Sequence, residues 1–304
     1  MDSYEPVSLP YTAPALPAEL PTTEEVLSST QRLKRPMDSL GIGKAVWVVR
    51  VGTHFLAKYG PFVRETEGQT MLFVKKNTNI PIPEVYALYK FQHEGETYTM
   101  IIMEFVEGVR LDSYLKKAGR RQLDMTSAHL KAQVDELRSI PAPNYYGSVG
   151  RKPLYHCRDA REYGPYNTIT EYIDGYLEIV TVNRKLCDIY ADIVKDFTSI
   201  LCRTATNAKH AHPVFTHGDL HELNVIVRPD GTPVIIDYEQ AGFFPAYQEY
   251  AVGCELDRYF ECLSDKCLLE VAVLNRFDVQ VAKRMMEVQA SQGREKIDAA
   301  NNLG

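Results

Sequence analysis

The chain has 304 residues, of which 45% are hydrophobic, so it can bury the core of one large or two medium-sized domains. Its formal net charge of −6 argues against a nucleic-acid-binding protein, because such a protein needs a basic surface to neutralise phosphates. The cysteines form no Cys-x-x-Cys pair, and no apolar run reaches the ~18 residues of a membrane span. We therefore expect a soluble cytoplasmic protein with reduced thiols.

The N-terminal part of the chain is rich in proline. Prolines recur through residues 1–21, a composition that resists both helix and sheet, so we expect a flexible tail there. Thr22 and Glu25 then have the spacing of a capping box. This spacing predicts a short helix that extends to Leu33.

Two strand-like runs follow at residues 45–51 and 54–59, and Lys58 lies in the second. After them, apolar residues at helical spacing predict a helix with Glu67 on its apolar side. A carboxylate that faces a core needs a partner, and Lys58 is the first candidate. The alternatives are that both side chains lie on the surface, or that Glu65 is the partner of the lysine.

Further strands are predicted at residues 85–90 and 98–105. Beyond them the apolar periodicity becomes helical. Helices are predicted at residues 123–140, 169–180, 187–209 and 268–288. Thr126 or Ser127 is the expected N-cap of the first of these helices. Residues 144–161 are interpreted as a loop.

Residues 215–242 contain a predicted β-hairpin, in which the runs Val-Ile-Val and Val-Ile-Ile flank a turn with a Pro-Asp-Gly core. Antiparallel pairing brings Asn224 and Asp237 together at the open end, roughly 5 Å apart between their Cα atoms. An amide oxygen beside a carboxylate suits Mg²⁺. Asp219 lies five residues before Asn224, in the position of a general base.

The spacing of His217, Asp219 and Asn224 is that of the catalytic loop of kinases. His-Gly-Asp followed by Ile-Asp-Tyr-Glu resembles the aminoglycoside phosphotransferase and choline kinase branch of the kinase-like fold, and the chain is similar to its fungal-type members from about residue 40 to residue 250. The resemblance implies transfer of a phosphoryl group from ATP, with Mg²⁺, to a hydroxyl group of a small molecule. It also implies a role in secondary metabolism.

The resemblance assigns roles to the candidate site residues. Lys58, held by Glu67, would bind the phosphates of ATP. Asp219 would accept or orient the proton of the acceptor hydroxyl, and Asn224 and Asp237 would bind Mg²⁺. The cofactors implied are therefore ATP and Mg²⁺, and the partner is a small-molecule hydroxyl acceptor.

Two further assignments come from the resemblance alone. The backbone of Glu104, Phe105 and Val106 would form the hinge and bind the adenine edge. Glu239, in the Asp-x-Glu arrangement, would either add a metal contact or cap the strand.

The implied fold is α+β and bilobal, like that of protein kinases. Residues 1–21 would be the flexible tail, and residues 22–105 a small lobe with an antiparallel sheet and one helix that bind ATP. Residues 106–304 would be a mainly helical large lobe with the catalytic loop, the metal site and the acceptor pocket. The sequence indicates neither the acceptor nor the oligomeric state.

Four other interpretations of the sequence are weaker. A histidine group could bind zinc, although no cysteine joins it: His210, His212, His217 and His221. Residues 41–44 resemble the end of a P-loop but lack its first glycine and its hydroxyl residue. The same short glycine segment would be a reduced phosphate-covering loop, so the chain could be an inactive nucleotide-binding scaffold. A protein kinase is disfavoured by the Gly in His-Gly-Asp and by the absence of an Ala-Pro-Glu segment.

Overall fold

The computed structural model describes residues 4–33, 45–156, 161–181 and 211–249. They form the predicted α+β, bilobal arrangement, with a small lobe built on an antiparallel sheet and a large lobe that carries the longest helix. The elements are β1 (Tyr11–Thr12), α1 (Thr23–Ser28), β2 (Trp47–Val51), β3 (Phe55–Gly60), α2 (Glu65–Asn77), β4 (Val85–His93), β5 (Glu96–Glu104), β6 (Val109–Arg110), α3 (Leu111–Tyr114), α4 (Arg120–Arg138), β7 (Leu154–His156), β8 (Arg161–Tyr163), α5 (Ile169–Thr181), β9 (Pro213–Thr216), β10 (Val225–Val227), β11 (Pro233–Ile235) and β12 (Gly242–Pro245).

The sheet of the small lobe has the strand order β1-β4-β5-β3-β2, with every pair antiparallel. Its central strand β5 is buried on both faces. Met100 and Ile102 pack under α1 and the N-terminal segment, whereas Ile101 and Met103 pack with α2 and the large lobe. A strand buried on both faces loses the alternation of apolar and polar residues, which explains its unbroken apolar sequence.

The predicted flexible tail is wrong for the described residues from Tyr4 onward. Strand β1 pairs with the edge of β4, with Tyr11 opposite Leu88, and the amide of Ala13 donates to the carbonyl of Tyr86 over 2.8 Å. The prolines are compatible with this because an edge strand needs only some of its amides for pairing. Main-chain pairing of this kind leaves no apolar pattern in the sequence.

Helix α1 has the predicted capping box, in which the Thr22 hydroxyl accepts from the amide of Glu25 and the Glu25 carboxylate accepts from the amide of Thr22. The helix ends at Ser28 and does not reach the predicted Leu33. The chain is instead extended at Arg32, which forms a bridge with Val49 of β2. Pairing with the sheet edge therefore replaces the last predicted turns.

In the large lobe, helix α4 begins earlier than predicted. Its N-cap is Gly119, whose amide donates to the side chain of Gln122 over 2.9 Å, and Thr126 is buried inside the helix. The predicted loop at residues 144–161 contains β7, which pairs with β8. The helices predicted at 187–209 and 268–288, and the glycines at 41–43, lie outside the described residues.

The predicted catalytic hairpin is present as β10 and β11, and β6 pairs with the other side of β10. Its register places Val225 opposite Ile235, so the amide of Ile236 donates to the carbonyl of Asn224 over 3.0 Å. Asp237 therefore comes one residue after the position opposite Asn224. None of the helices in the described parts of the chain has the length and apolar character that a membrane span requires.

Candidate active site

The centre of the candidate site is the buried ammonium group of Lys58. Its Nζ lies 2.9 Å from Oε1 of Glu67, 2.8 Å from Oδ1 of Asp237 and 3.0 Å from Oε2 of Glu239. Strand β3 carries the lysine and helix α2 carries Glu67, while the two other carboxylates follow β11 in the large lobe. The Lys58–Glu67 pair agrees with the sequence expectation. Glu65, the second candidate partner, instead forms an ion pair with Lys90 over 2.7 Å.

These charges influence one another strongly. Burial opposes the charge on Lys58, but the carboxylates of Asp237, Glu239 and Glu67 raise its pKa well above the ordinary value, so the ammonium stays protonated. Burial also raises the pKa of Glu67 to about 8, against the lowering effect of Lys58. Even with Glu67 protonated, the ammonium faces the two carboxylates of Asp237 and Glu239, and this excess of negative charge suits an additional cation.

Glycine at position 218 is required by the shape of the catalytic loop. Gly218 has a φ of +80°, and a side-chain carbon there would lie 2.6 Å from the carbonyl oxygen of Gln240. The neighbouring His217 is fully buried, and its Nε2 donates to the carbonyl of Ile236 over 3.0 Å. Its Nδ1 accepts from the amide of Asp219 over 3.3 Å. Both ring nitrogens are thus engaged, and the ring joins the loop to the strand that leads to Asp237.

Glu249, which sequence patterns did not indicate, supports the main chain of this loop. Its buried carboxylate accepts from the amide of His217 over 2.5 Å and from that of Gly218 over 3.3 Å. Burial raises the pKa of this carboxyl, while His217 and Arg138 oppose the rise. No spacing pattern could have identified a side chain that binds main-chain amides more than 30 residues away.

Asn224 positions the candidate base. Its Nδ2 donates to the main-chain carbonyl of Asp219 over 2.9 Å and to Oδ2 of the same residue over 3.0 Å. The amide oxygen Oδ1 is then the atom that Asn224 can offer to a metal. The Asp219 side chain is 31% exposed, so an acceptor molecule can reach it. His221 lies 3.6 Å from the same carboxylate; burial opposes its charge, but Asp219 raises its pKa overall.

Asp237 has an unusual backbone conformation that directs the residues after it. Its φ of 66° and ψ of 67° lie in the left-handed region, which costs an ordinary residue about 1 kcal/mol or more. The 3-10 turn Tyr238–Gln240 begins immediately afterwards and brings Glu239 back to Lys58. The Tyr238 ring packs edge-on against His217, with 4.8 Å between centroids. Local strain is therefore present where the carboxylates converge.

The residues of the predicted hinge form contacts within the protein. The amide of Glu104 donates to the carbonyl of Glu84, and that of Phe105 to the carbonyl of His54, each over 2.8 Å. The Glu104 carboxylate accepts from Arg228 of the large lobe over 2.6 Å. Val106 follows these residues and is buried.

Arg64 is a second residue near the site that has no sequence signal. It precedes helix α2, and its guanidinium lies 4.5 Å from the centroid of the Tyr155 ring and forms an ion pair with Glu162. Burial lowers its pKa, whereas Tyr155 and Glu239 raise it. The residue thus joins the start of α2 to the β7–β8 hairpin beside the carboxylates.

The donor atoms fit a hard cation better than zinc. In the described part of the chain, one group of acidic, histidine or cysteine side chains has its ligand atoms within 4.8 Å of one another, namely Glu67, Asp237 and Glu239. All of these donors are oxygens, as Asn224 Oδ1 is, and Mg²⁺ prefers oxygen. The histidine group forms no such cluster among the described residues, and His210 lies outside them.

Comparison with protein families and with known proteins identifies the family of this chain. A model of the phosphotransferase enzyme family matches residues 48–273. A comparison with curated proteins gives no match. Among solved structures, a mutant of aminoglycoside 2'-phosphotransferase-IIIa in complex with GDP is 17% identical, with a TM-score of 0.57, over 91% of this chain and 93% of that chain.

Two other solved structures have the same fold. A thermostable mutant of aminoglycoside phosphotransferase APH(4)-Ia, in a ternary complex with ADP and hygromycin B, is 16% identical with a TM-score of 0.54, over 84% of this chain and 80% of that chain. The streptomycin-ATP-APH(2")-IIa ternary complex is 15% identical with a TM-score of 0.51, over 81% and 79%. The family match covers well over half of the chain. The chain therefore belongs to the phosphotransferase enzyme family, has its protein-kinase-like fold and is a small-molecule phosphotransferase.

Proposed function

We propose that this phosphotransferase moves the γ-phosphoryl group of ATP to a hydroxyl group of a small molecule, with Mg²⁺ as its metal. The observation that carries the proposal is the convergence of Asp237 and Glu239 on Lys58, with the Asp219–Asn224 pair on the adjoining loop. Such an arrangement provides a cation for phosphates, oxygen ligands for a metal and a carboxylate for a proton.

Each residue then has a defined task. Lys58, oriented by Glu67, holds the phosphates, and the hinge amide of Val106 contributes to binding the adenine edge. Asp237 and the amide oxygen of Asn224 hold Mg²⁺, and Glu239 adds a further metal contact. When bound, Mg²⁺ supplies charge neutralisation for the phosphates.

The proton of the acceptor hydroxyl goes to Asp219. The hydrogen bond from Asn224 fixes the orientation of this carboxylate, and its partial exposure admits an acceptor. As the hydroxyl oxygen forms a bond to the γ-phosphorus, the bond from that phosphorus to the β-γ bridging oxygen breaks, and ADP leaves. Positioning and charge neutralisation supply most of the rate.

Substitution of Asp219 tests the proposal. We expect Asp219→Asn to lower acceptor-dependent ATP turnover by about 10²–10⁴-fold, because it removes the base. Mg-ATP affinity should stay close to that of the wild type, since Asp219 is not a nucleotide ligand. Turnover is measured by ADP release with a panel of amino-alcohols, sugars and secondary-metabolite alcohols. Turnover of the secondary-metabolite alcohols would favour the role in secondary metabolism that the family resemblance implies.

A matched control is Asp230→Asn, which makes the same chemical change at an exposed position in the hairpin turn. It should leave turnover unchanged. Equal turnover of Asp219→Asn and wild type would contradict the assigned base. Tight Mg-ATP binding by the wild type without acceptor-dependent turnover would instead support the alternative of a nucleotide-binding scaffold.

A further inference from the structure

The N-terminal segment makes specific contacts with helix α2. The amide of Val7 donates to Oε1 of Gln69 over 2.9 Å, and Nε2 of Gln69 donates to the carbonyl of Val7 over 2.9 Å. The Tyr4 hydroxyl donates to the main-chain carbonyl of Gln69 over 3.1 Å, and its ring packs edge-on against Phe73 with 4.9 Å between centroids. Gln69 is 4% exposed, so this paired contact is shielded from water.

The contacted residue lies two positions after Glu67, the partner of Lys58. The local sequence supports this end of α2 only through the acidic Glu65 and Glu67 of its first turn. Its N-cap, Arg64, forms no side-chain capping bond, and Gly68 lies in its second turn. A glycine costs about 1 kcal/mol relative to alanine within a helix. The position of Glu67 therefore depends on tertiary contacts. The Gln69–Val7 pair is one of these contacts and lies two positions further along α2.

The same segment also contacts the large lobe and the sheet of the small lobe. A side-chain carbon placed on Gly150 would lie 3.2 Å from Cγ of Pro6, so Pro6 packs directly against this turn of the large lobe. A few residues later, β1 pairs with β4. Pro6 thus lies on the large lobe between the two residues that contact α2, Tyr4 and Val7, and β1 fixes the chain after them. A segment attached at these points restricts the movement of that helix.

We propose that residues 4–7 are a brace that holds helix α2 in the position where Glu67 orients Lys58, and that Gln69 and Tyr4 are positioning residues for phosphoryl transfer. The part concerning transfer rests on the proposed function. The contact acts through Glu67 and touches neither nucleotide nor acceptor. Loss of the brace therefore lowers kcat and Mg-ATP affinity and leaves the KM for the acceptor unchanged.

The test compares three variants of the full chain. Gln69→Leu removes both bonds to Val7 at nearly constant volume, and Tyr4→Ala removes the outer contact without changing a buried helix residue. The control is Thr23→Val, which removes a hydrogen bond of 2.9 Å between the N-terminal region and Tyr89 but does not contact α2. Hydrogen exchange of the α2 amides is measured without nucleotide, followed by kcat and KM.

We expect exchange at residues 65–77 to become about tenfold faster in Gln69→Leu and Tyr4→Ala, as the loss of one or two neutral hydrogen bonds implies. Thr23→Val should match the wild type. Exchange in α2 that is no faster than in Thr23→Val would overturn the brace, as would an unchanged kcat despite faster exchange. Because exchange needs no turnover, absence of catalysis in the wild type would count against the proposed function and not against the brace.

Discussion

Lys58 shows how a single buried charge organises the candidate site. A buried ammonium is stable only with close partners, and here three carboxylates from two lobes provide them. The reverse also holds, because these carboxylates need the lysine when no metal neutralises them. The stability of the metal-free protein and its capacity for a metal are therefore linked at this residue.

Replacement of the lysine should make this link measurable. We expect Lys58→Met to lower the free energy of unfolding by about 3 kcal/mol, because it leaves the buried Glu67 and the partly buried Asp237 and Glu239 without their cation. Added Mg²⁺ should restore part of the loss, as seen in melting temperatures with and without the metal. The control Lys90→Met removes an exposed ion pair and should cost less than about 1 kcal/mol. Similar losses for both variants would refute the assigned role of Lys58 in balancing the carboxylates.

Gly218 allows a second prediction for a single residue. Gly218→Ala adds both backbone strain at φ +80° and a clash with the Gln240 carbonyl, so we expect a loss of about 2–4 kcal/mol in unfolding free energy. Gly231→Ala has a similar φ of +89° with no atom within 4 Å of the added carbon, and it should lose only about 1 kcal/mol. Chemical denaturation measures both. Equal losses would mean that strain alone, and not the close approach to Gln240, requires the glycine.

At the scale of the elements, helix α2 contains a glycine that lowers its helix propensity. Gly68 is a poor helix residue, but it allows α2 to pack closely against Leu88 of β4. A side-chain carbon at position 68 would lie only 2.9 Å from the methyl carbons of Leu88. Leu88 is fully buried and cannot move aside freely. Close packing of the helix on the sheet thus decides the residue at this position.

We therefore expect Gly68→Ala to lower the melting temperature even though alanine favours helices. The free energy of unfolding should fall by about 1–3 kcal/mol, which is typical of overpacked cores. The double variant Gly68→Ala with Leu88→Val should lose less than the sum of the two single changes, because the smaller side chain gives the added methyl group room. A strictly additive cycle would show that the two residues do not compete for the same space.

At the scale of the molecule, ion pairs at two places join the described parts of the two lobes. Lys58 of the small lobe contacts Asp237 and Glu239 of the large lobe, and Arg228 of the large lobe contacts Glu104 at the end of β5. A nucleotide bound between the lobes would add further contacts to both. Its stabilising effect should therefore depend on the metal that neutralises its phosphates.

We expect Mg²⁺ and ATP together to raise the melting temperature by several degrees more than the sum of their separate effects. A ligand present at 100 times its dissociation constant stabilises the folded protein by about 2.7 kcal/mol. Chelation of the metal should remove most of this stabilisation. In Asp237→Asn, the stabilisation by ATP should no longer depend on Mg²⁺. Equal stabilisation by ATP with and without Mg²⁺ would exclude a metal-dependent nucleotide site.

Much of the candidate site could be inferred from local patterns. Helical spacing placed Glu67 on a buried face and so required a cation, and paired β-branched runs predicted the hairpin after Asn224. Glu249 could not be found in this way, because its contact runs from a side chain to distant main-chain amides. The attachment of residues 4–13 was missed for a related reason, since the pairing of an edge strand depends on backbone groups that every residue possesses.

By itself, the sequence determined the types of element and the kind of chemistry, because periodicity reports which side of each element is buried and spacing reports which polar groups share a loop. Only the tertiary structure decided that Glu67, Asp237 and Glu239 meet at one ammonium group and that the N-terminal segment lies on α2. These contacts join residues as far as 181 positions apart. Such distances are set by the packing of whole elements against one another, which no local pattern contains.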